Sequence, residues 1–178
     1  MNTEARIIGN HGKFFPAGRA LDGPEPVPKA GRETKPESID PGWQDFGVLS
    51  EISIEPQTEE RVIFRPSPGR LRKYDVLETK DDLQITLRAE ELSVLAIQAL
   101  FRTAELDETS TIYKPLEGQA IKGWLKVSQY DQNDHLFNSV EVFAHLKVAA
   151  VTFGDDVARV EFTGSVLDST LNAGTLLA

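Results

Sequence analysis

Apolar and polar residues alternate with a period of two through most of this chain. Such a chain is committed to strands, because successive side chains of an extended backbone project to opposite faces. Phe46, Val48, Ile52 and Ile54 fall on one face with Asp45, Glu51, Ser53 and Glu55 between them. Leu83, Ile85 and Leu87 repeat the pattern, as do Ile121, Leu125 and Val127. Val140, Val142, Ala144, Leu146, Val148 and Ala150 continue it, followed by Ala158, Val160, Phe162 and Val166. Polar Asp131-Gln132-Asn133-Asp134 separates two of these runs and Gly154-Asp155-Asp156 leads into the next. The second half therefore reads as a meander of antiparallel hairpins.

Two segments depart from this rhythm. Between Glu90 and Phe101 the apolar residues Leu92, Leu95, Ala96, Ala99 and Leu100 recur at spacings of three and four, with Glu90 and Glu91 where a helix start favours negative charge. The spacing predicts one helix over about residues 90–101. Residues 1–42 hold six of the ten prolines and six of the thirteen glycines, and Gly23-Pro24-Glu25-Pro26-Val27-Pro28 suits neither a helix interior nor a ladder. The expectation is an extended N-terminal arm over 1–42 and one domain over 43–178. Its fold class is mainly β: an antiparallel β-sandwich or barrel with one flanking α-helix.

Charge and composition narrow the function. The formal net charge is -9, so a protein that grips nucleic acid through its phosphates is disfavoured. No cysteine is present, which removes disulfides, thiolate catalysis and cysteine-ligated metals. No stretch approaches the roughly 20 apolar residues of a membrane span, and residues 1–40 hold no signal-peptide core, so a soluble chain is expected.

Catalytic patterns are missing. HExxH, GxSxG and the P-loop are absent, and the three histidines, His11, His135 and His145, show no ligand spacing. His145 reads as a strand residue beside Lys147, and Asp131 to His135 as a polar turn rather than a calcium loop, since no glycine and distal glutamate follow at EF-hand spacing. The acidic pairs Asp81-Asp82, Glu90-Glu91 and Asp155-Asp156 read as solvated turn and helix-start residues rather than acid–base pairs. No enzyme activity, cofactor or metal is expected.

The charge map is more informative. Arg61, Arg65, Arg70, Arg72 and Lys73 lie within thirteen residues that contain no acid, around Pro66-Ser67-Pro68-Gly69. Residues 81–178 carry fifteen acids against seven bases. A basic excursion on an acidic body is either a solvated loop tip or a plug for the acidic surface of a neighbouring copy, a contact that does not close on itself and builds stacks.

The order of these features resembles that of bacteriophage tail tube (major tail) proteins. Trp43-Gln44-Asp45-Phe46-Gly47-Val48 with its strand through Ile54 is similar to that family's opening strand. The charged loop 59–80 follows, then Leu83-Gln84-Ile85-Thr86-Leu87-Arg88-Ala89-Glu90-Glu91, a strand running into an acidic helix start. The resemblance spans about residues 43–165. It implies a virion subunit, made in the host cytoplasm, that forms hexameric rings stacked into a hollow tube. DNA would pass through the tube without specific binding; tape-measure, terminator and baseplate proteins would be the partners, with no membrane. Arg61, Arg65, Arg70, Arg72 and Lys73 would then form the inter-ring contact loop. Glu51, Glu55, Glu141 and Glu161, which face away from their strands' apolar rows, would line the lumen. Two rivals stand beside it: a receptor- or glycan-binding β-sandwich of a virion, using Trp43 and Trp124 as an aromatic platform, and a hydrolase using a carboxylate pair.

Overall fold

The computed structural model describes residues 9–23, 26–91, 93, 95, 96, 99, 120–131, 133–154 and 158–176. Seven strands form one antiparallel sheet: β1 (Gly9–Pro16), β2 (Gln44–Ser67), β3 (Arg70–Ala89), β4 (Ile121–Tyr130), β5 (Leu136–Phe153), β6 (Ala158–Val166) and β7 (Ala173–Leu176). Their order is β4-β1-β2-β3-β6-β5-β7, and β4 also pairs with β5. The ladder of six strands thus returns on itself, with β7 appended to β5 at residues 138–141.

The alternating residues fill the interior of this closed ladder. Phe14, Phe46, Leu49, Ile85, Leu87, Leu125, Leu146, Val160 and Phe162 are buried there in one cluster. Phe46 meets Phe14 and Phe162 edge to face, with ring centroids 5.9 and 4.9 Å apart, the arrangement that sets a ring's positive edge on another's negative face.

A second apolar layer lies outside the sheet. The face of β1, β4 and β5 that points away from the interior carries Phe15, Trp124 and Phe143, and the chain following β1 folds back over it. Ala30, Leu21 and Trp43 from that strap pack onto the three rings, joined by Leu167. The Trp124 indole donates to the carbonyls of Gly31 (2.8 Å) and Thr34 (3.2 Å). Asp40, buried, accepts from the amides of Asp22 (2.8 Å) and Gly42 (2.7 Å). The Ser169 hydroxyl donates to Arg32 O at 2.6 Å. Each bond satisfies a polar group that the layer would otherwise bury unpaired. Beneath it β1 and β4 approach closely: a Cβ on Gly123 would lie 2.1 Å from the Phe15 carbonyl oxygen, so only glycine fits.

The expected fold class is therefore corrected. Mainly β is right, but among the described residues no long extended N-terminal arm stands off from a domain. Residues 9–16 are a central strand, pairing with β2 on one edge and β4 on the other. Proline and glycine density does mark a segment without long ladders, yet such a segment still packs when a sheet face needs covering. The flanking helix of about 90–101 is also overturned, since no helix stands among the described elements. Glu90 and Glu91 form a bend after β3, and Leu92, Val94, Ile97, Gln98, Leu100 and Phe101 lie outside the described residues. Leu95, Ala96 and Ala99 are described and buried in the interior cluster, too few to make an element. Those three residues have helical backbone, and their spacing marked residues bound for the core.

Bulges account for a smaller departure. The register shifts between Leu49 and Glu51, which leaves Ser50 unpaired and turns Leu49 inward. Val48, expected inside with Phe46, is 49% exposed.

Because β1 supplies Phe14 to one apolar layer and Phe15 to the other, deletion of residues 2–38 will abolish cooperative unfolding rather than trim an appendage. Phe14→Ala in the full chain will cost about 3–5 kcal/mol, measured by urea denaturation.

Candidate assembly surface

The sheet's most unusual part is the far end of the β2–β3 hairpin. β1 covers β2 only as far as Leu49, and β6 covers β3 only from Gln84 onward. Beyond the body, β2 and β3 pair with each other alone among the described residues. Residues 57–67 project roughly 35 Å at about 3.3 Å per residue. Pro68 and Gly69, the latter with φ of 75°, join the strands in the combination that a type II turn requires. The basic loop expected over 59–80 is thus an ordered two-stranded arm.

Directly opposed residues of an antiparallel pair share a face, so the register assigns each arm residue to a side. Arg61 opposes Leu77, Ile63 opposes Asp75, Arg65 opposes Arg72 and Ser67 opposes Arg70. This is the arginine face. Tyr74, the bulged residue between Asp75 and Lys73, lies 5.0 Å beneath the Arg65 guanidinium, a cation–π contact. On the other face Val62 opposes Val76, Phe64 opposes Lys73 and Pro66 opposes Leu71. Four of the five expected contact bases therefore share one face, while Lys73 belongs to the other.

The apolar face is the surface feature that charge counting missed. Phe64 is 56% exposed and Leu71 67%. Alternation of Val62 and Phe64 was the available signal, hidden by the arginines between them. An isolated two-stranded hairpin is marginal in water, and exposed apolar residues along one of its faces make it a candidate interaction surface.

The four expected lumen acids do not form one open wall. Glu51 and Glu161 flank Arg88 across neighbouring strands, at 2.7 and 3.4 Å, and share its charge. Glu55, further along the same outer face, accepts a hydrogen bond from Ser53 Oγ at 3.0 Å. Glu141 lies elsewhere, on β5 under the edge of the strap, where it is bound by Lys35 and by Lys126 (3.0 Å). Lys126 also donates to Ser38 Oγ at 2.9 Å, so this cluster fastens the strap to the sheet.

The remaining chemistry-bearing groups are satisfied locally. Asp131 Oδ1 accepts from the amides of Asn133 (2.8 Å) and His135 (2.9 Å), which makes the β4–β5 connection a side-chain-capped turn. The His135 and Asn133 bonds hold its carboxyl below the usual aspartate range. His145 lines a polar groove of about 480 Å³ at the arm's root with Gln57, Asp82, Gln84, Lys147 and Thr163. Among the described residues its side chain hydrogen-bonds to no hydroxyl or carboxylate, and no group of three or more metal-ligating side chains occurs. Among those residues, too, no helix is long and apolar enough to cross a membrane. Trp124 is fully buried and Trp43 stacks edge-on against Phe15 at 5.6 Å. Neither tryptophan offers an open platform.

In comparisons with known proteins, no family model matches the chain and no curated protein matches it.

Partial burial works to raise the Glu141 pKa, but hydrogen bonds and charge from Lys35 and Lys126 outweigh it. The carboxyl therefore sits below the usual value of 4.5. A depressed folded-state value stabilises the fold above the unfolded pKa, and that contribution is lost as pH falls through the lower value. Thermal unfolding followed from neutral pH down to about pH 3 will show an acid limb that flattens in Glu141→Gln.

Proposed function

We propose that this chain is a structural subunit that assembles with copies of itself. The form of assembly is that of the bacteriophage tail tube proteins its sequence resembles: stacked hexameric rings around a conduit for DNA, in the virion. The single observation that carries this reading is the β2–β3 arm, ordered, two-stranded and wet on both faces with Phe64, Leu71 and Tyr74 exposed. Surface of that kind is stabilised by a neighbour, and a repeating assembly provides one for every copy.

Charge supports the same reading. Residues 61–73 hold five of the nineteen bases and no acid, while the whole chain carries 28 acids. A subunit so divided attracts its own kind and, through its acidic remainder, repels DNA, as a conduit wall must. Glu51, Glu55 and Glu161 on the outer face of β2, β3 and β6 are the acids suited to such a wall. Glu141 is committed to the strap. Tape-measure, terminator and baseplate proteins are the partners this assembly would need.

The rival binding module is weakened by the burial of Trp124 and the packing of Trp43 on Phe15. A hydrolase has less support, since among the described residues His145 has no hydrogen-bonded acid or hydroxyl.

Negative-stain microscopy of the purified full chain tests the proposal. Rings or hollow tubes are expected, and only dispersed single particles at every concentration would overturn it. Phe64→Ser with Leu71→Ser will reduce the assembled fraction while leaving the unfolding temperature of the body unchanged, measured by sedimentation and circular dichroism.

A further inference from the structure

Two cross-strand pairs in the arm are unfavourable as they stand. Arg65 directly opposes Arg72 near the tip, and Glu60 directly opposes Glu78 in the stem. Like charges facing one another across a strand pair destabilise it, and here the two pairs have opposite sign at opposite ends. The same polarity holds on both faces. The arginine face runs from Arg61, Arg65, Arg70 and Arg72, with Asp75 as the one acid among them, to Glu55 and Asp82 in the stem, where Glu59 opposes Lys80, and the apolar face runs from Lys73 to Glu60 and Glu78. Each arm is a rod with a basic end and an acidic end.

Resting on the self-assembly reading, we infer that the arm docks side by side on the same arm of a second copy, the basic tip of one lying over the acidic stem of the other. Both like-charge pairs are relieved by that overlap, whereas an in-register alignment of two arms would double them. The backbone favours it as well. The outer edges of residues 50–67 and 70–83 carry no strand partner among the described residues, and such edges add readily to another strand. Because side chains alternate with a period of two, an added arm extends the apolar row of Val62, Phe64, Pro66, Leu71 and Val76 rather than interrupting it. Nucleic acid fits less well, since the stem acids would be driven against phosphates. An anionic lipid surface meets the same repulsion.

The test is charge exchange between two variants of the full chain. The tip variant carries Arg61→Glu, Arg65→Glu, Arg70→Glu and Arg72→Glu. The stem variant carries Glu55→Lys, Glu60→Lys, Glu78→Lys and Asp82→Lys. All eight positions lie outside both apolar layers, and unchanged unfolding temperatures will confirm that each variant folds. Sedimentation velocity should show self-association weakened by about tenfold or more in either variant alone and recovered in their equimolar mixture. A mixture that stays as dissociated as its components overturns the inference. So does a tip variant that associates like the parent chain.

Amide exchange adds the location. Association should slow exchange in residues 57–67 and 70–82; slowing confined to the body strands would place the arm on the body and overturn arm-to-arm docking. Binding of the parent chain to phosphatidylserine vesicles or to duplex DNA without self-association would overturn it in favour of those occupants. Failure here is separable from failure of the tube reading. Parent-chain tubes with no recovery on mixing leave the tube and remove the arm pairing, and recovery on mixing without tubes does the reverse.

Discussion

The hydrogen bonds that β1 makes on both of its edges hold the rest of the structure in place. Eight of its residues pair with β4 along one side and five with β2 along the other, and they turn an open sheet with two bare edges into a ladder that closes. Closure creates an interior, and only with an interior do Phe46, Leu87 and Phe162 have somewhere to go. It also decides what lies outside. With β1 fixed against β4, Phe15 stands beside Trp124, and the chain leaving β1 is carried straight over both. The strap and the second apolar layer are consequences of where one strand is seated.

How much of this could be read from the residues depended on how local the cause was. Leu125 and Val127, Val142 to Leu146, and Val160 with Phe162 sit where strict alternation placed them, because each strand needs only its own neighbours to define an inside face. β1 escaped notice for the opposite reason. Gly9-Asn10-His11-Gly12-Lys13 shows no alternation, and both partners that make it a strand lie far along the chain. Trp124 was legible as outward-facing but not as covered, since its cover is a loop with no period of its own. Phe46 and Ser50, skipped in the ladders with β1 and β3, reversed the facing of Val48 and Leu49 between them. In the arm, the charges were plain and the apolar row between them was not, and the turn that makes two strands of it needed only Pro68 and Gly69.

Ion pairs are distributed unevenly over the molecule. On the body they are closed accounts: Arg88 with Glu51 and Glu161, Arg159 with Glu90 at 3.0 Å, Lys35 and Lys126 with Glu141. Each sets opposite charges together, and the cluster at Glu141 fastens the strap. The arm differs: Glu59 opposes Lys80 in its stem, but Arg65 also faces Arg72 and Glu60 faces Glu78. Like charges left face to face on a strand pair are a cost that a complementary surface can relieve.

Seating β1 between β2 and β4 has a consequence for the order in which the chain can fold. The strand is translated first, yet its β4 edge is not available until more than a hundred further residues have left the ribosome. Until then Phe14 and Phe15 have no finished layer to enter, and β2 and β3 can zip as a local hairpin long before the ring shuts. Closure is thus a late, long-range event of high contact order, and such events set the rate of folding. Through that interval the nascent protein exposes apolar residues and open strand edges, which makes synthesis rather than the finished state its period of greatest exposure to aggregation.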